Sequence, residues 1–312
     1  MACFLPFVSS PKSLGRVSGF SWGCAYFAAI LLLMLTAGAM HLHNLVDPAA
    51  WRPFFVFAGA WFLLFTIPTY LWLPEPPADD SSPREATDLN IFTAGFQALA
   101  ETVRSTQRHR DLRVLLAASL IYGTAMSVVV FFAGKIAEEY GFRETKLVLF
   151  VAVITISGVF GTLLPMLYQD SVGHRKSTLL LLGVWLFTTL TFAGYAAYYD
   201  SMNGAVPSWP LWVIGNLLGF GLGSLGSANR AFVGYLAPPG HEGSVFGLWG
   251  MTFKLSAIMT FPFAWVRDTM GTPASLLLLA GLVLAGIVLT MMVDETRGRA
   301  LAEAEGSHPQ TV

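Results

Sequence analysis

The chain has 312 residues, of which 54% are hydrophobic and only 12% are charged, and its mean hydropathy is +0.60. A soluble domain usually carries about 25% charged residues, so this composition indicates a polytopic membrane protein surrounded by a lipid bilayer. The net charge of -1 gives no basic footprint for nucleic acid. Cys3 and Cys24 have no metal-ligand spacing and form no disulfide framework. We therefore expect no nucleic-acid partner, no metal and no other cofactor, while the oligomeric state stays open.

Eight segments are apolar over roughly the 20 residues that a helix needs to cross a hydrocarbon core of about 30 Å. Each is apolar all round, unlike the alternating strands of a membrane β-barrel. The predicted helices cover residues 19–40, 53–73, 112–134, 147–167, 177–198, 209–232, 244–266 and 273–293. Pro262 is expected to kink the seventh of them. The sequence thus predicts an all-α membrane protein with eight transmembrane helices.

One long polar stretch, residues 74–111, divides these helices into two and six. It begins as PEPPADDSSPRE, which is typical of a linker. Its second part has the pattern of an amphipathic helix on a membrane surface. The predicted organisation is residues 1–73 with two helices, a cytoplasmic linker at 74–111, six helices at 112–294 and a cytoplasmic tail at 295–312.

Lysine and arginine are unevenly distributed between the two sides of the predicted topology. With the N-terminus inside, twelve fall on the inner side, against five on the outer side. The inner set is Lys12, Arg16, Arg84, Arg104, Arg108, Arg110, Arg113, Arg175, Lys176, Arg230, Arg297 and Arg299, and the outer set is Arg52, Lys135, Arg143, Lys146 and Arg267. Because cytoplasmic loops carry the excess of positive charge, both termini are predicted to be cytoplasmic.

The loop after the fourth predicted helix reads DSVGHRK over residues 170–176. Gly173 permits a tight turn between two membrane helices. Asp170 could pair with a basic residue or cap the N-terminus of a neighbouring helix. The Asp-to-Gly spacing followed by a basic cluster resembles the cytoplasmic loop motif of the major facilitator superfamily. That resemblance implies that Asp170, Gly173 and Arg175 are parts of a gate that breaks when the two halves of a transporter rock. The alternative is an ordinary positive-inside loop, which the charges alone would satisfy.

The predicted helix 209–232 carries Gly215, Gly219 and Gly223 at spacings of four. Small residues at that spacing let two helix backbones approach closely, and a bend for gating is a further hypothesis. Asn216 lies in the same helix and is a candidate either for a packing hydrogen bond or for contact with the solute.

Asn229 and Arg230 follow at the inner end of this helix, and Glu242 lies beyond a short loop. Asn229 is a candidate cavity residue. Arg230 and Glu242 flank the loop and could pair as a cytoplasmic gate. The alternative for Arg230 is a side chain that extends to the lipid headgroups.

Lys254 lies about ten residues into the predicted helix 244–266, near mid-depth. A cation at that depth faces protein, water or a counter-charge. We interpret it as lining a central cavity, with Trp249 as a candidate wall of that cavity. The alternative is a lysine buried against polar groups such as Asn216 or Thr252.

Four segments together resemble the "unknown major facilitator" family of the major facilitator superfamily, which includes vacuolar amino-acid effluxers linked to autophagy. FLPFVSSPKSLGRVSGFSWGCAY resembles the approach to that family's fifth helix, FFVFAGAWFLLFTIPTYLWLPEP its sixth helix, and YQDSVGHRKS its loop motif. SANRAFVGYLAPPGHEGSVFGLWGMTFKLSAI resembles its most specific block. That block places Arg230, Pro238, Gly240, Glu242, Phe246, Gly247 and Lys254 on matching positions.

The resemblance implies a secondary transporter of a small polar solute, with amino-acid efflux as one possibility, and not an enzyme. It also implies that the chain lacks the family's first four helices and its acidic residue near Tyr122. We expect a bacterial inner membrane as the location. The alternatives are a non-transporting scaffold or sensor that binds partners through residues 74–111, and an inactive fragment of a transporter.

Overall fold

A computed structural model describes residues 4–43, 52–72 and 109–307. Within these ranges all regular secondary structure is helical. The helices are α1 Leu5–Val8, α2 Leu14–Leu42, α3 Arg52–Trp72, α4 Arg110–Glu139, α5 Glu144–Val172, α6 His174–Ser201, α7 Trp209–Leu236, α8 Glu242–Ile258, α9 Phe261–Met270, α10 Thr272–Met291 and α11 Glu295–Ser307. The predicted all-α membrane fold is confirmed.

Seven described spans are long and apolar enough to cross a membrane, and they include α8 and α9 taken together. The predicted second helix corresponds to α3, in which a shorter apolar segment, Arg52–Pro68, is recognised. The predicted linker falls almost wholly on residues 73–108, outside the described ranges. The domain boundaries at 73, 111 and 294 therefore stay predictions.

The seventh predicted helix is present as one membrane span, Glu242–Met270, and it is interrupted next to Pro262, where the sequence predicted a kink. It consists of α8, which ends at Ile258, and α9, which begins at Phe261. Pro262 has no backbone N–H to donate to the carbonyl four residues earlier, which is that of Ile258. The helix therefore ends there, and the proline lies in the first turn of α9, where a missing N–H costs little.

Helices α4 to α10 form a bundle. α2 packs against one side of this bundle, along α5 and α7. α3 contacts α2 along a short stretch only. The cytoplasmic side predicted from sequence corresponds to one end of this bundle. There the α5–α6 loop, the α7–α8 loop and α11 come together, and we call it the α11 end.

The close packing predicted for the α7 glycines is confirmed. A Cβ added at Gly219 would overlap the backbone carbonyl of Ile154 on α5, and one at Gly223 would overlap that of Gly158. At Gly215 it would lie 2.6 Å from the ring of Phe150. The two backbones thus approach as closely as small residues allow.

Candidate functional site

Asp170, at the end of α5, caps the first turn of α2. Its carboxylate accepts hydrogen bonds from the backbone N–H groups of Gly15 at 2.8 Å and Arg16 at 3.0 Å. Helix N-termini favour negative charge because their first N–H groups have no partner within the helix. Of the two contacts expected for Asp170, the helix cap is therefore the one that forms.

Gly173 makes the turn from α5 to α6 with φ of +102° and ψ of 148°, a conformation that side chains with a Cβ rarely adopt. Beyond it, the backbone N–H of Arg175 donates to the Glu295 carboxylate at 2.7 Å. The guanidinium of Arg175 donates to the carbonyl oxygen of Met291 at 2.8 Å. The loop is therefore held to α2 on one side and to α10 and α11 on the other.

Arg230 extends from α7 to α2, and the expected pair with Glu242 does not form. Its Nε donates to Ser18 Oγ at 3.2 Å, and its Nη2 donates to Ser21 Oγ. Ser18 Oγ in turn donates to the carbonyl oxygen of Ser227 at 2.7 Å. The side chain of Arg230 is half-buried against α2. Glu242 is buried at the first residue of α8. The reason is rotational, since the side chain of Arg230 leaves α7 on the face that packs against α2.

Asp170 of α5 and Arg230 of α7 therefore both form hydrogen bonds to α2. We call this set of contacts the α2 clasp, formed by Asp170 and Arg230 with Gly15, Arg16, Ser18 and Ser21. Within the described residues, the hydrogen bonds that join α2 to the bundle all lie at this end.

Lys254 and Trp249 point to different sides of α8. Lys254 is exposed, whereas Trp249 is 9% exposed and packs against Phe246 and Phe253 in a core shared with α4. Five residues of α-helix turn by about 140°, which accounts for the difference. Lys254 is exposed, and no contact with Asn216 or Thr252 buries it among the described residues.

Asn216 is engaged in packing. Its amide oxygen accepts a hydrogen bond from Ser157 on α5, and its amide nitrogen donates to the carbonyl of Trp212 at 2.6 Å. Of the two uses proposed for Asn216, the structure shows the packing hydrogen bond.

Asn229 is fully buried and accepts from Ser119 Oγ at 3.1 Å. Its amide nitrogen has no hydrogen-bond partner among the described residues, and neither does the indole nitrogen of Trp249. The side-chain amide N–H groups of Asn229 are therefore buried inside the bundle without an acceptor among the described residues.

A second charged cluster, which the sequence analysis missed, anchors α11. Arg297 donates twice to the buried carboxylate of Asp111, at 2.7 and 2.9 Å, and the N–H of Asp294 donates to it at 2.9 Å. Hydrogen bonding to Asp111 raises the pKa of Arg297 above its usual value, and the attraction of the two charges adds to this. Arg299 donates to the carbonyl of Tyr235 at 3.1 Å and lies over its ring.

One available signal in α2 was also missed. Gly15, Gly19 and Gly23 are spaced four apart, like the α7 glycines, and Ser18 and Ser21 share a face of the helix. A Cβ at Gly19 would lie 2.7 Å from the carbonyl oxygen of Thr162 on α5. This pattern alone could have predicted that α2 packs closely against a partner helix.

A sequence model of the family described as "Vacuole effluxer Atg22 like" matches residues 10–303, nearly the whole chain. The chain belongs to this family. Relatives include "Autophagy-related protein 22-1" of Penicillium rubens, 26% identical over 94% of this chain and 51% of its own length. "Autophagy-related protein 22" of Coccidioides immitis is 27% identical over 93% of this chain and 51% of its own length. "Autophagy-related protein 22-1" of Aspergillus niger is 27% identical over 77% and 41%.

The Atg22-like membership confirms the family to which the sequence was compared, and its description is that of effluxers, not of enzymes. These relatives are fungal, and they do not support the expected bacterial inner membrane. The chain spans about half the length of the relatives it matches. Among the described residues, no group of three or more His, Cys, Asp or Glu is placed to hold a metal ion.

Proposed function

We propose that the chain takes part in secondary transport of a small polar solute of the amino-acid class, by a mechanism of the major facilitator type. The observation that carries this proposal is the exposed Lys254. The α8–α9 span covers Glu242–Met270, 29 residues, and Lys254 is close to its middle. No hydrogen bond or ion pair from the described residues engages its ammonium group.

A lysine at the centre of a membrane helix costs about 2.5–3.5 kcal/mol if it meets lipid, so such residues face water, protein or a ligand. The carboxylate of a small solute is a group that Lys254 would bind in a water-filled cavity. Asn229, with an unpaired amide nitrogen, would be a second donor toward the same class of solute. Trp249 would support the Lys254 helix from its packed side.

Alternating access also needs a contact that can form and break. The α2 clasp has this character, since it consists of hydrogen bonds at one end of the bundle, donated by backbone N–H groups to Asp170 and by Arg230 to hydroxyl groups. Breaking it would let α2 move from α5 and α7. We place this end and both termini in the cytoplasm, because lysine and arginine are concentrated there.

The test is uptake and efflux of radiolabelled amino acids by lipid vesicles that contain the purified chain. Lys254→Ala is expected to lower flux at least about tenfold, because the solute carboxylate loses its counter-charge, and Lys254→Arg to keep part of it. Lys176→Ala removes an exposed lysine at the α11 end and serves as the matched control, with flux unchanged.

Absence of flux for amino acids and for a wide panel of small metabolites would refute the transport proposal. Normal activity of Lys254→Ala in cells, combined with loss of activity when residues 74–108 are deleted, would favour the scaffold or sensor instead.

A further inference from the structure

The α5–α6 loop, by which we mean residues 170–175, consists of the last turn of α5, the connecting Gly173 and the start of α6, and different parts of the protein bind its two ends. At one end Asp170 caps α2, and at the other the first turn of α6 donates to Glu295 of α11. We propose that Glu295 is a positioning residue that holds this loop in the conformation in which Asp170 reaches α2, so that α11 sets the strength of the α2 clasp. This proposal rests on the clasp's part in the proposed function.

The loop backbone fits against the Glu295 carboxylate. A Cβ on Gly173 would lie 2.5 Å from Glu295 Oε1, so a larger residue would displace the end of the Glu295 side chain and would also be strained at this positive φ. The other carboxylate oxygen, Oε2, accepts the Arg175 N–H at 2.7 Å. Glu295 therefore caps α6 while it packs against the turn that directs Asp170 toward α2.

Glu295 is itself held on a rigid support. It is the first residue of α11, and Arg297, two residues later, binds the buried Asp111 of α4 with two hydrogen bonds. Ala302, further along α11, is fully buried. A carboxylate fixed in this way can hold a loop in place, whereas one on a mobile tail would follow it.

The consequence is a specific ordering of effects. Loss of Asp170 removes the clasp contact directly, and loss of Glu295 frees the loop so that Asp170 occupies its capping position for less of the time. Both changes act through the same loop. Loss of Glu295 should therefore weaken the α2 clasp little further in a protein that already lacks Asp170. A residue that merely contributes to overall stability would add its effect in full.

The experiment follows how often α2 leaves the bundle. Leu14 on α2 is 2% exposed, and in a chain with Cys3→Ser and Cys24→Ala, Leu14→Cys reports undocking through its rate of modification by a water-soluble maleimide. The chain is studied at full length in lipid vesicles without added solute. The variants in this background are Asp170→Ala, Glu295→Ala, Glu295→Gln and the double variant of Asp170→Ala with Glu295→Ala.

Loss of a helix cap of this kind should raise the rate by roughly five- to tenfold for Asp170→Ala and about threefold for Glu295→Ala. Glu295→Gln keeps an acceptor for the Arg175 N–H and should fall between Glu295→Ala and the parent. The double variant should react no faster than Asp170→Ala. Arg299→Ala is the matched control, because Arg299 ties the same helix to Tyr235 without touching the loop, and its rate should stay within about twofold of the parent.

The proposal is overturned if Glu295→Ala reacts at the parent rate while Asp170→Ala reacts faster. It is equally overturned if Arg299→Ala matches Glu295→Ala, or if the double variant shows the product of the two single effects. Because labelling is measured without solute, a failure of amino-acid flux would refute the transport proposal and leave this result standing.

Discussion

Gly19→Ala tests whether α2 is docked by close backbone approach. The new Cβ would lie 2.7 Å from the carbonyl oxygen of Thr162 and 2.8 Å from the Cβ of Met166. Ordinary contact begins near 3.4 Å, so α2 has to withdraw from α5 by about 0.7 Å. Overpacking of this kind typically costs about 1–3 kcal/mol. The greater helix propensity of alanine offsets about 0.8–1 kcal/mol of that.

Gly38→Ala in the same helix separates these two contributions. Gly38 has nothing within 4 Å of its added Cβ, so it receives the propensity gain without the clash. The difference between the variants should therefore be about 1–3 kcal/mol, roughly 5–150-fold in the ratio of docked to undocked α2. The maleimide rate at Leu14→Cys measures this ratio, with Gly19→Ala reacting faster. Equal rates in the two variants would show that the glycine contact does not hold α2.

The other predictions concern charged groups. Arg230→Lys should raise the Leu14→Cys rate about three- to tenfold, because a lysine cannot reproduce the two hydrogen bonds that the guanidinium makes to Ser18 and Ser21; an unchanged rate would remove Arg230 from the clasp. Arg297→Ala should lower the Tm in detergent by roughly 5–10 °C, because it leaves the buried Asp111 without its counter-charge. Adding Asp111→Asn should recover part of this loss. A double variant with a lower Tm than Arg297→Ala alone would contradict this reasoning. Lys254→Ala should shift the Tm by no more than about 2 °C, since the side chain is exposed and unpaired, and a larger fall would mean that Lys254 supports the fold.

Several contacts of the site followed from local pattern. The Asp170-to-Gly173 spacing indicated a turn with a carboxylate free to cap a helix, and the four-residue spacing of the α7 glycines indicated close packing. Both appear in the structure. The pairing of Arg230 with Glu242 was wrong, because proximity along the chain says little about the direction in which a side chain leaves its helix. Ser18 and Ser21 lie more than 200 residues from Arg230, and no short-range pattern connects them.

The sequence by itself determined that this is a helical membrane protein, because crossing a bilayer depends on length and hydropathy, which are local properties of each segment. It also determined where the α8–α9 span breaks, since a proline removes the same backbone hydrogen bond in any fold. Only the tertiary structure decided that Arg230 holds α2, that Lys254 stays exposed while Trp249 is buried, and that Glu295 packs against Gly173. Those outcomes depend on how each helix is rotated and shifted against its neighbours, and that is set by packing over the whole bundle.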